Sequence, residues 1–338
     1  MANRIVFRAD ASHAIGFGHV ARTAALIEEV VESGGEPVVL FGGDELAVAS
    51  WARDRNLEVI PQQWTVEQVV RLAEEMRPRA VVIDSPRLAA ELAPRLAERG
   101  TRTVVVDDGG KLEIAADVVV NHNLHAPSLA STYPQMKRRL LGRRYLMLRR
   151  EIRRFTRGSC RPMAGARLRV VVTFGGSDPV GATVRTLKLL PEDRPLELVV
   201  IAGPGFRDDE PLQSAACVAR SLGHTVDIHR APDDPGALFV SADAAICSAG
   251  GTLGELAYLG LPAIAYAIVR DQLAPARELA RAGVIAGGGV WQDLDDDALR
   301  AELAAFLCDD LARAAVRQKA LSTCDGDGPR RVVAEALY

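Results

Sequence analysis

Short apolar runs rich in Val and Ile recur along this chain, and each is followed by a longer amphipathic segment. "RIVFRA" (4–9), "PVVLFG", "AVVIDS" and "RTVVVDD" carry the pattern through the first half. Their apolar residues are continuous rather than alternating. Such strands need cover on both faces, which is the condition of a parallel sheet. Strand–helix alternation then predicts a doubly wound α/β domain. Ala24, Leu26, Ile27, Val30 and Val31 fall at near-helical spacing and predict a helix from about His19 to Ser33.

Segment 133–167 breaks this rhythm. "KRRLLGRRYLMLRREIRRFTRG" is dense in Arg and reads as a solvated surface or, alternatively, as a cleft edge near an anion; "SCRPMAGA" after it reads as a linker. A second alternating series starts at "LRVVVTFGGSDP" (168–179) and continues through "LELVVIAGPG", "HTVDIHRAP", "SADAAICSAGGTLGELAYLG" and "LPAIAYAI". A chain of 338 residues is long for one core. The expected division is therefore a doubly wound domain over 1–155, a second over 166–325, and one more short helix over 326–338.

A net charge of -3 offers no broad basic field for nucleic acid or an anionic membrane. Five cysteines, at 160, 217, 247, 308 and 324, are odd in number and lack CxxC spacing, so neither a disulfide framework nor a zinc site is expected. "MANRIVFRAD" has no apolar segment of signal-peptide length, and no apolar run approaches the roughly 18 residues that span a bilayer. These features predict a soluble cytoplasmic protein with no membrane insertion, no nucleic-acid partner, no metal and no cofactor.

Three stretches could carry chemistry. In "GFGHVAR", Gly16 and Gly18 allow close backbone approach after the first strand, and the helix N-terminus that follows presents unpaired N–H groups. The third glycine of a dinucleotide fingerprint is missing. His19 stands in the first turn, where the helix dipole disfavours its charged form and leaves an imidazole able to take a proton; alternatively it only caps the helix. "TFGGSDP" (173–179) is the counterpart in the second half, where Gly175, Gly176 and Ser177 could face a diphosphate, and Ser177 or Asp178 could cap the next helix. "SAGGTLGELAYLGLP" (248–262) is the most specific stretch. Its small-residue turn precedes a helix, and Glu255 one turn in could accept hydrogen bonds from ribose hydroxyls; alternatively it is a first-turn acid that complements the helix dipole.

Together the three stretches resemble nucleotide-sugar enzymes of the GT-B fold, the architecture of MurG-type glycosyltransferases: two Rossmann-like parallel-sheet domains facing a cleft, with a C-terminal helix, here 326–338, that the resemblance implies crosses back to the first domain. Within that class the chain is similar to the PseG-like UDP-sugar hydrolases of pseudaminic acid biosynthesis and their spore-coat relatives. The matching blocks are "RADASHAIGFGHVAR", "VVVDD" with "NHN" (121–123), "LLGRRYLMLRREI", "VTFGGSDP" and "SAGGTLGE". The resemblance implies that His19 activates water. It implies that Glu255 holds the ribose, that Gly175, Gly176, Ser177, Gly250, Gly251 and Thr252 line the diphosphate, and that the strand end at Arg230 and Ala231 holds the base. It places Asp10, Ser12, Gly16, Phe17, Gly18 and Arg22 on the substrate side with Asp271 and Gln272. The implied reaction is metal-free hydrolysis of the sugar–UDP bond with inversion. A nucleoside diphosphate is a good leaving group, so one base and a phosphate cradle suffice. Two positions depart from the family: Asp84 is followed by Ser85 and Pro86 where a tyrosine is usual two residues on, and an Asn-Gln pair becomes Asp271-Gln272. Asp271 alternatively caps the helix starting near Leu273. A glycosyltransferase, or a non-catalytic nucleotide-sugar binder, remains the alternative function.

Overall fold

The computed structural model describes residues 3–11, 18–43, 59–61, 63–108, 114–124, 126–160 and 167–337. The chain divides into two units: Met1–Arg150 with Gly326–Tyr338, and Glu151–Asp325.

The first unit is built on β1 (Arg4–Ala11), α1 (Gly18–Glu32), β2 (Glu36–Gly43), β3 (Val59–Pro61), α2 (Val66–Met76), β4 (Ala80–Asp84), α3 (Ala89–Ala97), β5 (Arg102–Val106), β6 (Val118–Asn121) and β7 (Arg138–Leu141). All seven strands run parallel in the order β3-β2-β1-β4-β5-β6-β7. Alternate side chains go to opposite faces. Ile5, Phe7, Ala80, Val82, Val104 and Val118 face one core with Leu26, Ile27 and Val30 of α1. Val6, Val81, Ile83, Val105 and Val119 face the other with Val69 of α2 and Leu92 of α3. Continuous apolar strands are thus the sum of two alternating faces.

The Arg-dense segment is not a solvated surface throughout. Arg138–Leu141 forms the edge strand β7, and Leu140 enters the core. Its arginines escape sequence reading because an edge strand has one side free: Arg139 donates to the Tyr133 carbonyl at 2.9 and 2.7 Å, and Arg138 pairs with Glu335 at 2.7 Å. The chain then enters the short α4 (Arg150–Arg153). Residues after Arg150 pack with the second unit: Gly158 N donates to Tyr258 O at 3.0 Å and Cys160 N to Leu259 O at 3.1 Å.

The second unit alternates β8 (Leu168–Thr173), α5 (Ala182–Lys188), β9 (Leu196–Ala202), α6 (Asp209–Ser221), β10 (Thr225–Arg230), α7 (Pro235–Val240), β11 (Ala244–Ser248), α8 (Thr252–Leu259), β12 (Ala263–Ala267), α9 (Leu273–Arg281) and β13 (Ala286–Val290), followed by α10 (Asp296–Cys308) and α11 (Asp310–Leu321). Its strands are parallel in the order β10-β9-β8-β11-β12-β13.

The chain then returns to the first unit through α12 (Gly328–Val332) and a π turn over Val333–Leu337. Val332, Val333, Ala336 and Leu337 complete the core on the α1 side. Arg79 and Arg102 bond the last carbonyls, Leu337 O at 3.0 Å and Ala336 O at 2.6 Å. Gly328 sits so close to Leu146 that a Cβ there would lie 2.0 Å from its carbonyl oxygen.

Candidate active site

In open parallel sheets ligands bind beyond the carboxyl ends of the strands, where strand order reverses. In the first unit that point lies between β1 and β4. The face alternation, carried past the strand ends, decides which side chains meet there. Asp84 ends β4 on the side of Ala80 and Val82, the side that α1 covers. Asp108 beyond β5 and His122 beyond β6 share its parity. The first two turns of α1 bring His19 and Arg22 against this row.

His19 Nδ1 lies 2.6 Å from Asp84 Oδ1. Arg22 grips the same carboxylate in a fork, Nε to Oδ2 at 2.6 Å and Nη2 to Oδ1 at 2.6 Å, and Thr23 Oγ1 donates to Oδ2 at 3.2 Å. Asp84 therefore acts as an acceptor throughout, and His19 Nδ1 carries the proton that bonds it. In the neutral imidazole, Nε2 is then the acceptor nitrogen. Arg22 Nη2 stands 2.9 Å from His19 Nδ1 because both donate to one oxygen. Burial pushes the Asp84 carboxyl up, but Arg22 and then His19 outweigh it and hold it far below the usual carboxylate range. For Arg22 the cost of burial is outweighed by Asp108 and Asp84, so its charge is strengthened.

Arg22 Nη1 extends the array to Asp108 Oδ2 at 2.5 Å, and Asn123 Nδ2 reaches Asp108 Oδ1 at 3.3 Å. Desolvation pushes the Asp108 carboxyl up, but Arg22 outweighs it and holds it below the usual carboxylate range. His122 is lowered to about 4 by burial, with Arg22 and Arg143 adding to the shift and Asp108 opposing it. It is neutral at physiological pH, and its Nδ1 is buried without a hydrogen-bond partner among the described residues.

Ser85 has the opposite parity and points to the other face. There its Oγ donates to Asp10 Oδ2 at 2.5 Å, while Arg8, wholly buried, donates to Asp10 Oδ1 at 2.6 Å. Asp10 thus has both oxygens engaged inside the protein. Ser12, Gly16 and Phe17 lie outside the described residues, and Gly18 is the first residue of α1. Sequence reading found His19 and Arg22 but missed Asp84, Asp108 and His122 as their companions. The available signal was an acid or histidine of matching parity at the ends of adjacent strands.

In the second unit the predicted loops sit at the ends of β8, β10, β11 and β12. Gly175 has φ of +84°, a conformation that favours glycine. The following loop is bolted to the end of β9: Gly205 N donates to Gly176 O at 2.7 Å, and a Cβ on Gly203 would lie 2.5 Å from Gly176 Cα. Asp178, not Ser177, caps α5, accepting from Ala182 N at 2.8 Å and Thr183 N at 2.7 Å. Ala231 N bonds Ala202 O at 2.8 Å, so the end of β10 joins the same row. The Arg230 side chain pairs with Asp209 and lies over the Phe206 ring.

Gly250 and Gly251 lead into α8, whose first residue is Thr252. Glu255 is buried in that helix. A Cβ on Gly250 would come 3.2 Å from Gln272 Nε2, while Gln272 Oε1 accepts from Ile268 N at 3.0 Å. Gln272 thus joins the turn after β12 to the turn after β11. Asp271 does not cap α9: it is exposed, and the N-cap position belongs to Gln272, which makes no side-chain cap bond. Pro86 is exposed.

Several proteins are similar to this chain. A family profile described as Lipoprotein LpqB beta-propeller domain matches residues 15–129, short of half the chain. The described part of that region holds parallel strands alternating with helices, not the antiparallel blades of a propeller. "Uncharacterized protein MJ1062" of Methanocaldococcus jannaschii is 24% identical over 267 residues, 77% of this chain. The match takes in 55% of that relative, so the chain spans about half its length. Among solved structures, MurG of Acinetobacter baumannii has a TM-score of 0.74 at 17% identity, covering 98% of this chain and 99% of that one. Arabidopsis thaliana UGT89C1 complexed with UDP has 0.67 at 11%, covering 99% and 100%. A putative UDP-N-acetylglucosamine 2-epimerase from Listeria monocytogenes has 0.65 at 11%, covering 99% and 95%. The strand orders and these likenesses give the chain the GT-B fold of two Rossmann-like domains.

Proposed function

We propose that this chain is an enzyme acting on a nucleotide sugar, with His19 as general base and the second unit holding the nucleoside diphosphate. The observation that carries the reading is the 2.6 Å contact between His19 Nδ1 and Asp84 Oδ1. An imidazole fixed by a carboxylate on one nitrogen presents the other as a proton acceptor, the arrangement used to activate oxygen nucleophiles. MurG, UGT89C1 bound to UDP and the putative UDP-N-acetylglucosamine 2-epimerase share the fold, and the names of the last two point to uridine nucleotides and nucleotide sugars as the ligand class. The Gly175–Ser177 and Gly250–Thr252 turns, the latter at a helix N-terminus, supply backbone N–H groups suited to phosphate.

The reaction is hydrolysis. A water oxygen attacks the anomeric carbon, its proton passes to His19 Nε2, and the bond from that carbon to the diphosphate oxygen breaks. UDP leaves with the bonding electrons, and the configuration inverts. Asp84 stabilises the imidazolium that forms, and solvent removes the proton afterwards. Glu255 holds the ribose, and Arg230 and Ala231 flank the base. Similarity to MurG favours a second reading, in which the same base takes a proton from an acceptor hydroxyl. The test is a panel of UDP-sugars with and without acceptors, scored for UDP and free sugar. Stoichiometric UDP and free sugar without acceptor, lost in His19→Ala, is the expected result. UDP formed only with an acceptor selects the second reading, and no UDP under any condition overturns both.

A further inference from the structure

Arg22 belongs to the opening motif as a substrate contact, yet its donors are spent inside the protein. Nε and Nη2 close a fork on Asp84, and Nη1 reaches Asp108. The Arg22 side chain is 10% exposed and that of Asp108 is 44% exposed. We infer that Arg22 is a positioning residue: with Asp108 it sets the plane of the Asp84 carboxylate and the net charge that His19 meets there. The inference deepens the reading of His19 as a base and rests on it.

Two consequences of the geometry carry the argument. The fork fixes the carboxylate so that Oδ1 faces His19 Nδ1, and a planar bidentate grip does this where a single ammonium cannot. The charges also nearly cancel. A carboxylate alone against an imidazole favours the imidazolium, which is a spent base. Arg22 offsets that carboxylate from the same side, since its Nη2 is 2.9 Å from His19 Nδ1. Asp108 in turn offsets part of Arg22. Among the described residues, the titratable and charged groups facing this point are Asp84 from β4, Arg22 from α1, Asp108 from beyond β5 and His122 from beyond β6, with Arg143 acting on His122. Asp10 and Arg8 of β1 neutralise each other on the opposite face. His122, uncharged above about 4, adds no charge near neutral pH.

The two partners of the array should therefore act in opposite senses. Arg22→Gln removes the offsetting cation, so activity should fall off on the acid side at a pH about one unit or more higher. Asp108→Asn leaves Arg22 uncompensated, so the acid limb should move lower, by about half a unit given the greater distance and exposure. Arg22→Lys keeps the charge and loses the fork: its acid limb should stay near that of the wild type while kcat falls. The readouts are the pH profile of UDP release and, without substrate, the pH at which the His19 ring signals change in NMR, assigned by their loss in His19→Ala. Opposite shifts for Arg22→Gln and Asp108→Asn support the inference, and a structural prop alone would not produce them. Shifts of the same sign, no shift, or a raised KM with the profile unchanged would overturn it. Should Arg22→Gln not fold, Asp108→Asn and Arg22→Lys still decide. Turnover surviving in His19→Ala would remove the base reading separately, since the ring signals report on the array whether or not His19 is catalytic.

Discussion

Ser85 Oγ donates to Asp10 Oδ2 at 2.5 Å on one face of the first sheet, while its chain neighbour Asp84 is gripped by Arg22 on the other. The end of β4 is pinned from both sides, and the pin on the Ser85 side ends in Arg8. Asp10→Asn should leave the buried Arg8 guanidinium without its counter-charge and destabilise the first unit by about 3–5 kcal/mol. Ser85→Ala, which removes one hydrogen bond, should cost about 1 kcal/mol. Urea unfolding measures both. Equal, small losses would mean that Arg8 draws no stability from Asp10.

His19→Ala should lower turnover by about 10² to 10⁴ and leave UDP affinity nearly intact. Asp84→Asn should lower kcat in the same direction, because an amide cannot hold the imidazole in one tautomer or stabilise its charge. Glu255→Ala should instead weaken nucleotide binding first, by roughly 1.5–3 kcal/mol, the worth of a charge-assisted hydrogen bond. Calorimetry with UDP, set beside steady-state kinetics, separates the two classes. Loss of UDP binding in His19→Ala would end its assignment as a base.

Gly251 and Gly203 offer a contrast in what glycine is for. Gly251 has a helical backbone, and a Cβ on it meets nothing within 4 Å among the described residues. Gly203 has Gly175 O and Gly176 Cα 2.5 Å from where its Cβ would stand. Gly203→Ala should lower thermal stability. Gly251→Ala should leave stability unchanged and weaken UDP binding, because only a ligand would need that space. A Gly251→Ala variant that binds UDP as well as the wild type would remove this turn from the nucleotide site.

Acid should destabilise the first unit in two phases. Burial lowers His122 to about 4, against roughly 6.5 for an unfolded histidine. As pH falls below the unfolded value the unfolded chain gains a proton that the folded one refuses, so stability drops between about 6.5 and 4. Asp84 and Asp108 are depressed, so the stability they contribute is present above the unfolded carboxylate range and is lost as pH falls through their folded values. His122→Asn should abolish the first phase and keep the second. His224, lowered by its burial and by Arg167, gives the second unit a phase of its own. Urea midpoints between pH 7 and 3.5 test this; a first phase undiminished in His122→Asn would assign it to another group.

What the sequence disclosed was local. The helix starts that carry His19 and Glu255, and the apolar strands, could be read because their signals lie within a few residues. The partners of His19 could not be read that way. Asp84 lies 65 positions away, brought near by the β1–β4 register that sets Ala9 beside Asp84. Asp10 matched the motif as a substrate contact, but its parity turns it toward Arg8 and Ser85. The edge strand β7 was hidden by arginines whose partners, Tyr133 O and Glu335, come from elsewhere in the fold.

The return of Gly326–Tyr338 to the first unit makes that unit discontinuous in the chain, whereas the second occupies Glu151–Asp325 without interruption. During synthesis the second unit can close its core as soon as its own residues have emerged. The first must wait, with the place of Val332, Val333, Ala336 and Leu337 open, although most of it was made earlier. The order of completion on the ribosome is thus the reverse of the order of translation, and a chain cut before Gly328 would damage the half that carries His19, more than 300 residues from the cut.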